Sequence, residues 1–567
     1  MFNNNNNQGE TRNIVIAMFL FIIIMFGYNY FFEQKQHAAE LKEDKKSEIS
    51  QEEKTAPIPE KKTTASEALS SGMRVSLESQ KIKGSIDLKG SLIDNITLKN
   101  YKETIESNSK NVDILTPKGT DSAYYYSIFY NDKTNNEKLD ESTVWTKEDS
   151  ETTKQSVVVK TRTNSGLVVE RTITFDDGYL INVTDKVINV SDKELQISKK
   201  AELIRCNPKT NNYAVVHEGI IGNFDGKVKE IKYSDVETSV SLEKCQWFGY
   251  TDIYWLCSLI NKDKNSKISY SKVDENTFAC SIFSTSDVKI APNSAIEFNY
   301  GLFAGPKDLR VLRGYSEILN LDKFDMAIDF GWFFMLTKPL LHLLDILAGW
   351  FNNMGFVILL LTLLFKLLTY PLTKKSFKSA AKMRDVQPKV AALQKLYAHD
   401  KMRMNQELMA LYKREKVSPM SGCLPMLLQA PIFFCLYKVF FISMEMRHAP
   451  LFGWVKDLSA PDPLYIFNLF GAIDWTPPSI LRIGIWPLIM GATMFLQQKL
   501  SSATSSKGVE KTSEAKMQEN MMLIMPVLFT YICASFPVGV VIYWTISNVF
   551  SIAQQYYANT HTSKLRK

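Results

Sequence analysis

Residues 520–563 read NMMLIMPVLFTYICASFPVGVVIYWTISNVFSIAQQYYANTHTS, 44 residues without one Asp, Glu, Lys or Arg. That is about twice the length a helix needs to cross a hydrocarbon core ~30 Å thick. Phe536-Pro537-Val538-Gly539 lies near its middle. Proline ends one helix and glycine permits a tight reversal, so the run divides into two short spans, 521–535 and 539–556. Two further uncharged runs, Val417–Tyr437 and Asn13–Phe32, have 21 and 20 residues. The whole-chain average hides these runs: 567 residues, 45% hydrophobic and a net charge of +7 describe an ordinary soluble composition. The local pattern excludes a simple soluble enzyme, and the small charge excess does not mark a nucleic-acid binder.

Working outward, six spans emerge: 14–32, 351–371, 421–443, 483–498, 521–535 and 539–556. The first ends in Tyr28, Tyr30, Phe31 and Phe32, an aromatic belt suited to a membrane interface. Its apolar run is longer than a signal-peptide core, so it reads as an uncleaved anchor. Loop charge sets the orientation. The loop 374–416 has 12 Lys/Arg against 4 Asp/Glu, and 445–482 has 3 against 4. The loop 499–519 has 4 Lys/Arg, and the tail carries Lys564, Arg566 and Lys567. Both termini, 1–13 and 557–567, are therefore expected in the cytoplasm, and the large insert after the first span on the opposite side.

Within that insert, 33–70 is rich in Glu, Lys, Ser, Thr and Ala and reads as a disordered tether. From 71 to 310 the pattern has period two, as in Ser156-Val157-Val158-Val159-Lys160 and Leu167-Val168-Val169-Glu170-Arg171-Thr172-Ile173. Many such strands without helical pattern predict a large all-β sandwich. Its one histidine, His217, reads as a surface residue. Cys206, Cys245, Cys257 and Cys280 permit disulfides but have no metal-ligand spacing, and read as buried small residues. Cys423, Cys435 and Cys533 lie in spans and read as packing residues.

Residues 330–350 place Trp332, Phe333, Leu336, Leu340, Leu343, Leu344 and Leu347 on one helical stripe, with Lys338, His342 and Asp345 on the other side. This predicts an amphipathic helix lying on the outer membrane surface. The segment 374–418 predicts a helical hairpin: Met383, Val386, Val390, Leu393 and Tyr397, then Met404, Leu408 and Leu411, step by three and four.

Polar groups inside the spans are the candidate site. Lys366 shares a face with Thr362 and Thr369; Gln429 lies early in span three; Trp544, Asn548, Ser551 and Gln555 form a stripe on the last span. Intramembrane charge normally faces protein or water. Together these residues predict a polar groove open to the cytoplasm. Lys438, near the outer end of span three, reads as snorkelling to the surface. No nucleophile elbow, phosphate loop or metal cluster is found, so catalysis, cofactor and metal are not expected.

Several motifs are shared with one family. Phe330-Gly331-Trp332, Tyr370-Pro371-Leu372-Thr373, Lys382-Met383-Arg384, Gln387-Pro388-Lys389 and Met409-Ala410-Leu411-Tyr412-Lys413 resemble the YidC membrane-protein insertases. So do Gly422-Cys423-Leu424-Pro425, Gln429-Ala430-Pro431-Ile432-Phe433 and Phe536-Pro537-Val538-Gly539 with Ser547-Asn548. Trp247-Phe248-Gly249 and Asp252-Ile253-Tyr254-Trp255 resemble the periplasmic domain of its Gram-negative branch. The resemblance implies a polytopic inner-membrane protein with a five-helix insertase core and a periplasmic β domain. On the same resemblance it is expected to insert and fold integral membrane proteins, alone or with the Sec translocon. Implied partners are nascent integral membrane proteins, the Sec translocon and its accessory subunits, the ribosome, the signal-recognition-particle receptor and membrane lipids; no specific nucleic acid is implied. Lys366 stands where such proteins usually carry an arginine; Gln429 and Trp544 match other groove positions. The hairpin, with Met383, Arg384, Met404 and Leu408, would receive substrates. The stretch 467–482, with Pro477-Pro478, is longer than this pattern leads one to expect. Rival readings are a solute transporter, which would want inverted repeats, and a membrane-anchored glycan-binding protein.

Overall fold

A computed structural model gives the fold. It describes residues 63–210, 216–236, 240–242, 244–263, 266–351, 353–397, 399–417, 424–473, 475, 477–478, 481–503 and 524–564. The span at 14–32, most of the tether 33–70, Cys423 and most of the loop 499–520 lie outside them. Two compact units form: Pro59–Trp350 with Lys438–Pro450, and Phe351–Tyr437 with Leu451–Lys567.

The first unit is built from two antiparallel sheets. Leu167–Phe175 shows why: its burial alternates strictly along the strand, as it must when one pleat face meets a core. One sheet orders Arg74–Glu78, Ile82–Asp87, Leu92–Lys102, Tyr124–Asp132, Leu195–Cys206, Thr277–Ser284, Ser266–Asp274 and Val240–Leu242, with three further strands alongside. The other runs Lys227–Lys232, Gly219–Phe224, Cys245–Thr251, Trp255–Ile260, Ser294–Pro306, Leu180–Asn189, Leu167–Phe175, Ser156–Arg162 and Thr146–Glu148.

Between the sheets lies a buried polar network. Arg171 donates to both carboxylate oxygens of Asp185 at 2.8 Å and reaches across to the Ile128 carbonyl at 3.2 Å. Tyr130 donates to Asp185 at 2.7 Å, with the Tyr300 hydroxyl 3.1 Å away. Buried charge is tolerated only when paired and hydrogen-bonded, and this pair is both.

Helices flank the sheets in the chain. Ala65–Ser71 is α1 and Leu309–Ile318 is α2, the latter capped by Asp308, which accepts from the Arg310 and Val311 amides. Helix α3, Phe334–Trp350, departs from the amphipathic expectation. Leu340, Leu344 and Leu347 are buried, whereas Trp332, Phe333 and Leu336 of the same stripe are exposed. Asp345, read as lying on the polar side, is buried as well. Burial, then the nearby Asp308 and Glu445, push its carboxyl up to about 7. His217 is also not a surface residue: it is half-buried, its Nε2 is 3.0 Å from the Ile220 carbonyl oxygen, and burial lowers its pKa. Cys257 and Cys280 are buried, Cys206 and Cys245 half-buried, and all four are free thiols.

The segment Lys438–Pro450 belongs to this unit through charged contacts. Lys438 pairs with Asp329 at 2.7 Å, Arg310 with Glu445 at 2.7 Å, and Arg447 donates to the Lys102 carbonyl at 2.6 Å. Lys438 thus does not snorkel. A counter-charge within reach replaces water as its partner, and Asp329 also accepts from the His217 amide at 2.9 Å.

The second unit is helical. Helix α4 runs Met354–Leu396 without a break through Pro371 and Pro388. Helix α5 is Lys401–Arg414, α6 Leu424–Ile442, α7 Ile485–Ala503, α8 Ile524–Cys533 and α9 Val538–Lys564. Among the described helices, one segment, Met354–Ser379, is long and apolar enough by itself to cross a membrane. The reversal between α8 and α9 falls at Phe536-Pro537. Opening amides of α9, which have no intrahelical acceptor, are met by a loop: Val538 donates to the Ala460 carbonyl at 2.8 Å and Gly539 to Leu458 at 3.0 Å.

Candidate functional site

Helix α9 gathers polar partners from three other helices. From α4, the Lys366 ammonium donates to Ser551 Oγ at 2.9 Å. From α6, Gln429 Nε2 donates to the Tyr543 hydroxyl at 2.8 Å. On α7, Thr493 Oγ1 accepts from Asn548 Nδ2 at 3.2 Å. Tyr543, Ser547 and Ser551 step by four, so they form one row on α9. Ser551 itself donates to the Ser547 carbonyl at 2.9 Å, leaving its oxygen free to accept from Lys366. Among the described residues no carboxylate lies within ion-pair distance of Lys366, which is half-buried.

Two predicted members behave differently. Thr362 is fully buried and bonds the Ile358 carbonyl of its own helix at 2.7 Å. Trp544 sits on the predicted stripe but packs in an apolar aromatic group, 4.6 Å from Phe433 and 5.2 Å from Phe529 by ring centroid. Of the expected residues, Lys366 and Gln429 therefore meet α9 partners, and Asn548, on α9 itself, meets Thr493 of α7. Tyr543 and Thr493 escaped sequence reasoning. Tyr543 lies one position off the stripe, and a lone Thr in an apolar span carries no signal.

In the hairpin, Val386, Val390, Leu411 and Val417 are buried together, with Met383, Leu393, Leu408 and Tyr412 packed against them. Lys389 pairs with Glu415 at 2.7 Å across the turn. The apolar stripe is largely consumed in closing the hairpin on itself. Met404 is half-buried, and Arg384 lies on α4 with its side chain outside the described residues. The outward apolar side chains are instead Leu396, Met402 and Met409.

Comparison with known proteins decides the family. A membrane protein insertase YidC of Rickettsia prowazekii is 38% identical over 567 residues, covering 96% of this chain and 98% of its own length. The chain belongs to the YidC membrane protein insertase family. The relative from Rickettsia felis is 37% identical with the same coverage. The family model described as 60Kd inner membrane protein matches 346–565, which holds every groove and hairpin candidate. The model described as YidC periplasmic domain matches 74–343, the two-sheet unit with α2 and most of α3. A crystal structure titled as an active YidC insertase with its first transmembrane domain resolved covers 86% of this chain and 93% of its own, at 16% identity and a TM-score of 0.36. Family membership makes this an inner-membrane protein with a periplasmic β domain and disfavours the transporter and glycan-binding readings.

Proposed function

We propose that the chain is a membrane protein insertase whose substrates pass beside the polar row of α9. The observation carrying this reading is a half-buried ammonium, Lys366, held by Ser551 in a helical unit without a carboxylate partner among the described residues. A cation so placed attracts the polar and acidic parts of a passing segment. In lipid each unsatisfied backbone group costs several kcal/mol, and a polar lining reduces that cost. The apolar part of the substrate then partitions sideways into lipid, which supplies the driving force. Insertion on this account involves no covalent step.

The finer picture belongs to the same reading. Six spans cross the inner membrane, both termini are cytoplasmic, and the α4–α5 hairpin stands on the cytoplasmic side to receive substrates on Met402 and Met409. The Sec translocon and its accessory subunits, the ribosome and the signal-recognition-particle receptor are proposed partners. The test is reconstitution: purified full-length chain in liposomes should insert a small single-span protein, scored by protease protection. Protection no greater than in protein-free liposomes would overturn the reading.

A further inference from the structure

The stretch between Tyr465 and Gly484 has no part in the groove, and its construction is unusual. Phe467, Leu469, Phe470, Ile473 and Trp475 are between 46% and 60% exposed. No Asp, Glu, Lys or Arg occurs from Pro463 to Ile473. So many large apolar side chains at one turn form the kind of patch that marks an interaction surface.

The turn is held rather than loose. Tyr465 and Gly484 form an antiparallel bridge, and the Ile466 amide donates to the Ile483 carbonyl at 3.1 Å. Buried Asp462 clamps the base: it accepts from Trp454 Nε1 at 3.1 Å, the Leu464 amide at 3.1 Å and the Trp486 amide at 2.7 Å. At the tip Leu469 and Phe470 take left-handed φ values of 50° and 59°. Bulky residues rarely adopt that conformation, and it persists only where surrounding bonds over-determine it. Here the Phe470 amide donates to the Tyr465 carbonyl at 2.9 Å and the Ile473 amide to the Asn468 carbonyl at 3.1 Å.

We infer that residues 465–473, braced by 481–484, form a rigid foot that seats its apolar tip in the headgroup boundary of the lipid leaflet on the β-domain side. Three features favour lipid over a protein partner. The base runs directly into α7, and 483–498 is also free of charge. That helix also exposes Leu488 and Ile489 near its start. Exposed Arg482, its Nε held by the Pro477 carbonyl at 2.9 Å, lies in the chain between Trp475 and Trp486. Tryptophan and a cation flanking an apolar wedge suit the interface between acyl chains and phosphate. This rests on the proposed orientation of the 445–482 loop.

The test uses full-length protein in liposomes with a photoreactive benzophenone amino acid at Phe470, at Leu488 as the lipid-facing control, or at Asn135 in the β unit as the aqueous control. Phospholipid adducts at 470 should approach those at 488 and exceed those at 135 by at least about fivefold. Adducts at 470 no higher than at 135, or adducts to a second protein chain instead, would overturn the proposal. Separately, Asn135→Cys and Phe470→Cys are labelled in sealed vesicles with a membrane-impermeant maleimide, read at each site by mass spectrometry. Fast labelling at both refutes the foot. Protection of Asn135 from reagent added on the side proposed to be periplasmic refutes the orientation instead.

Discussion

Reversing the charge at Lys366 is the sharpest perturbation of the groove. Its ammonium is 2.9 Å from Ser551 Oγ and has no carboxylate within ion-pair distance among the described residues. An acidic substrate side chain approaching to ~4 Å gains about 1 kcal/mol if the site is as wet as bulk water and about 4 kcal/mol at an effective dielectric constant near 20. At 1.4 kcal/mol per decade, that attraction is about fivefold to several hundredfold in rate. Lys366→Glu replaces attraction by repulsion of similar size. Lys366→Met removes the attraction alone, and Lys366→Arg keeps it. The assay is protease protection of two single-span test proteins that differ only in an acidic or a neutral translocated tail, with purified variants in liposomes. The expected order for the acidic tail is Lys ≈ Arg > Met > Glu, with Glu at least about fivefold slower than wild type. The neutral tail should change much less. If Lys366→Glu inserts both tails at the wild-type rate, the cation takes no part in substrate passage.

Other outcomes follow from the same geometry. Lys438→Met or Asp329→Asn alone removes the counter-charge of a buried ion and should destabilise by about 3–5 kcal/mol, whereas Lys438→Met with Asp329→Leu should recover much of it; thermal unfolding in detergent measures all three. Asp345 holds its proton more tightly folded than unfolded, at about 7 against 3.8. Its contribution is therefore present below pH 3.8 and is lost as pH rises towards 7. Asp345→Asn should raise the melting temperature at pH 8 and flatten its pH dependence, with an upper bound of about 4 kcal/mol from 1.36 kcal/mol per pKa unit. Replacing both Met402 and Met409 by Ser should slow insertion while leaving the hairpin folded, because neither belongs to its buried cluster; replacing Val390 by Ser should unfold the hairpin, seen as new protease cleavage between α4 and α5.

Much was legible in the residues themselves. Uncharged runs mark the candidate spans, because no side chain can hide a charge in lipid cheaply. Period-two alternation at Leu167–Phe175 announces a strand with one buried face, since the pleat sends alternate side chains to opposite sides. The reversal at Phe536-Pro537 and the isolated charge at Lys366 were visible for equally local reasons. What only the tertiary structure decided are the pairings. Lys438 reads as a snorkelling lysine until Asp329, 109 positions earlier, is brought to 2.7 Å. Arg171 on the buried face of its strand is unexplained until Asp185 and Tyr130 converge on it. The Met383 and Leu408 stripe looks available to a substrate until folding turns it inward against its own partner helix, leaving Met402 and Met409 outside. Periodicity says which side chains share a face, but a face has no fixed destination until another surface competes for it. Hydrogen bonds and ion pairs act over a few ångströms, so their partners are set by how distant segments pack.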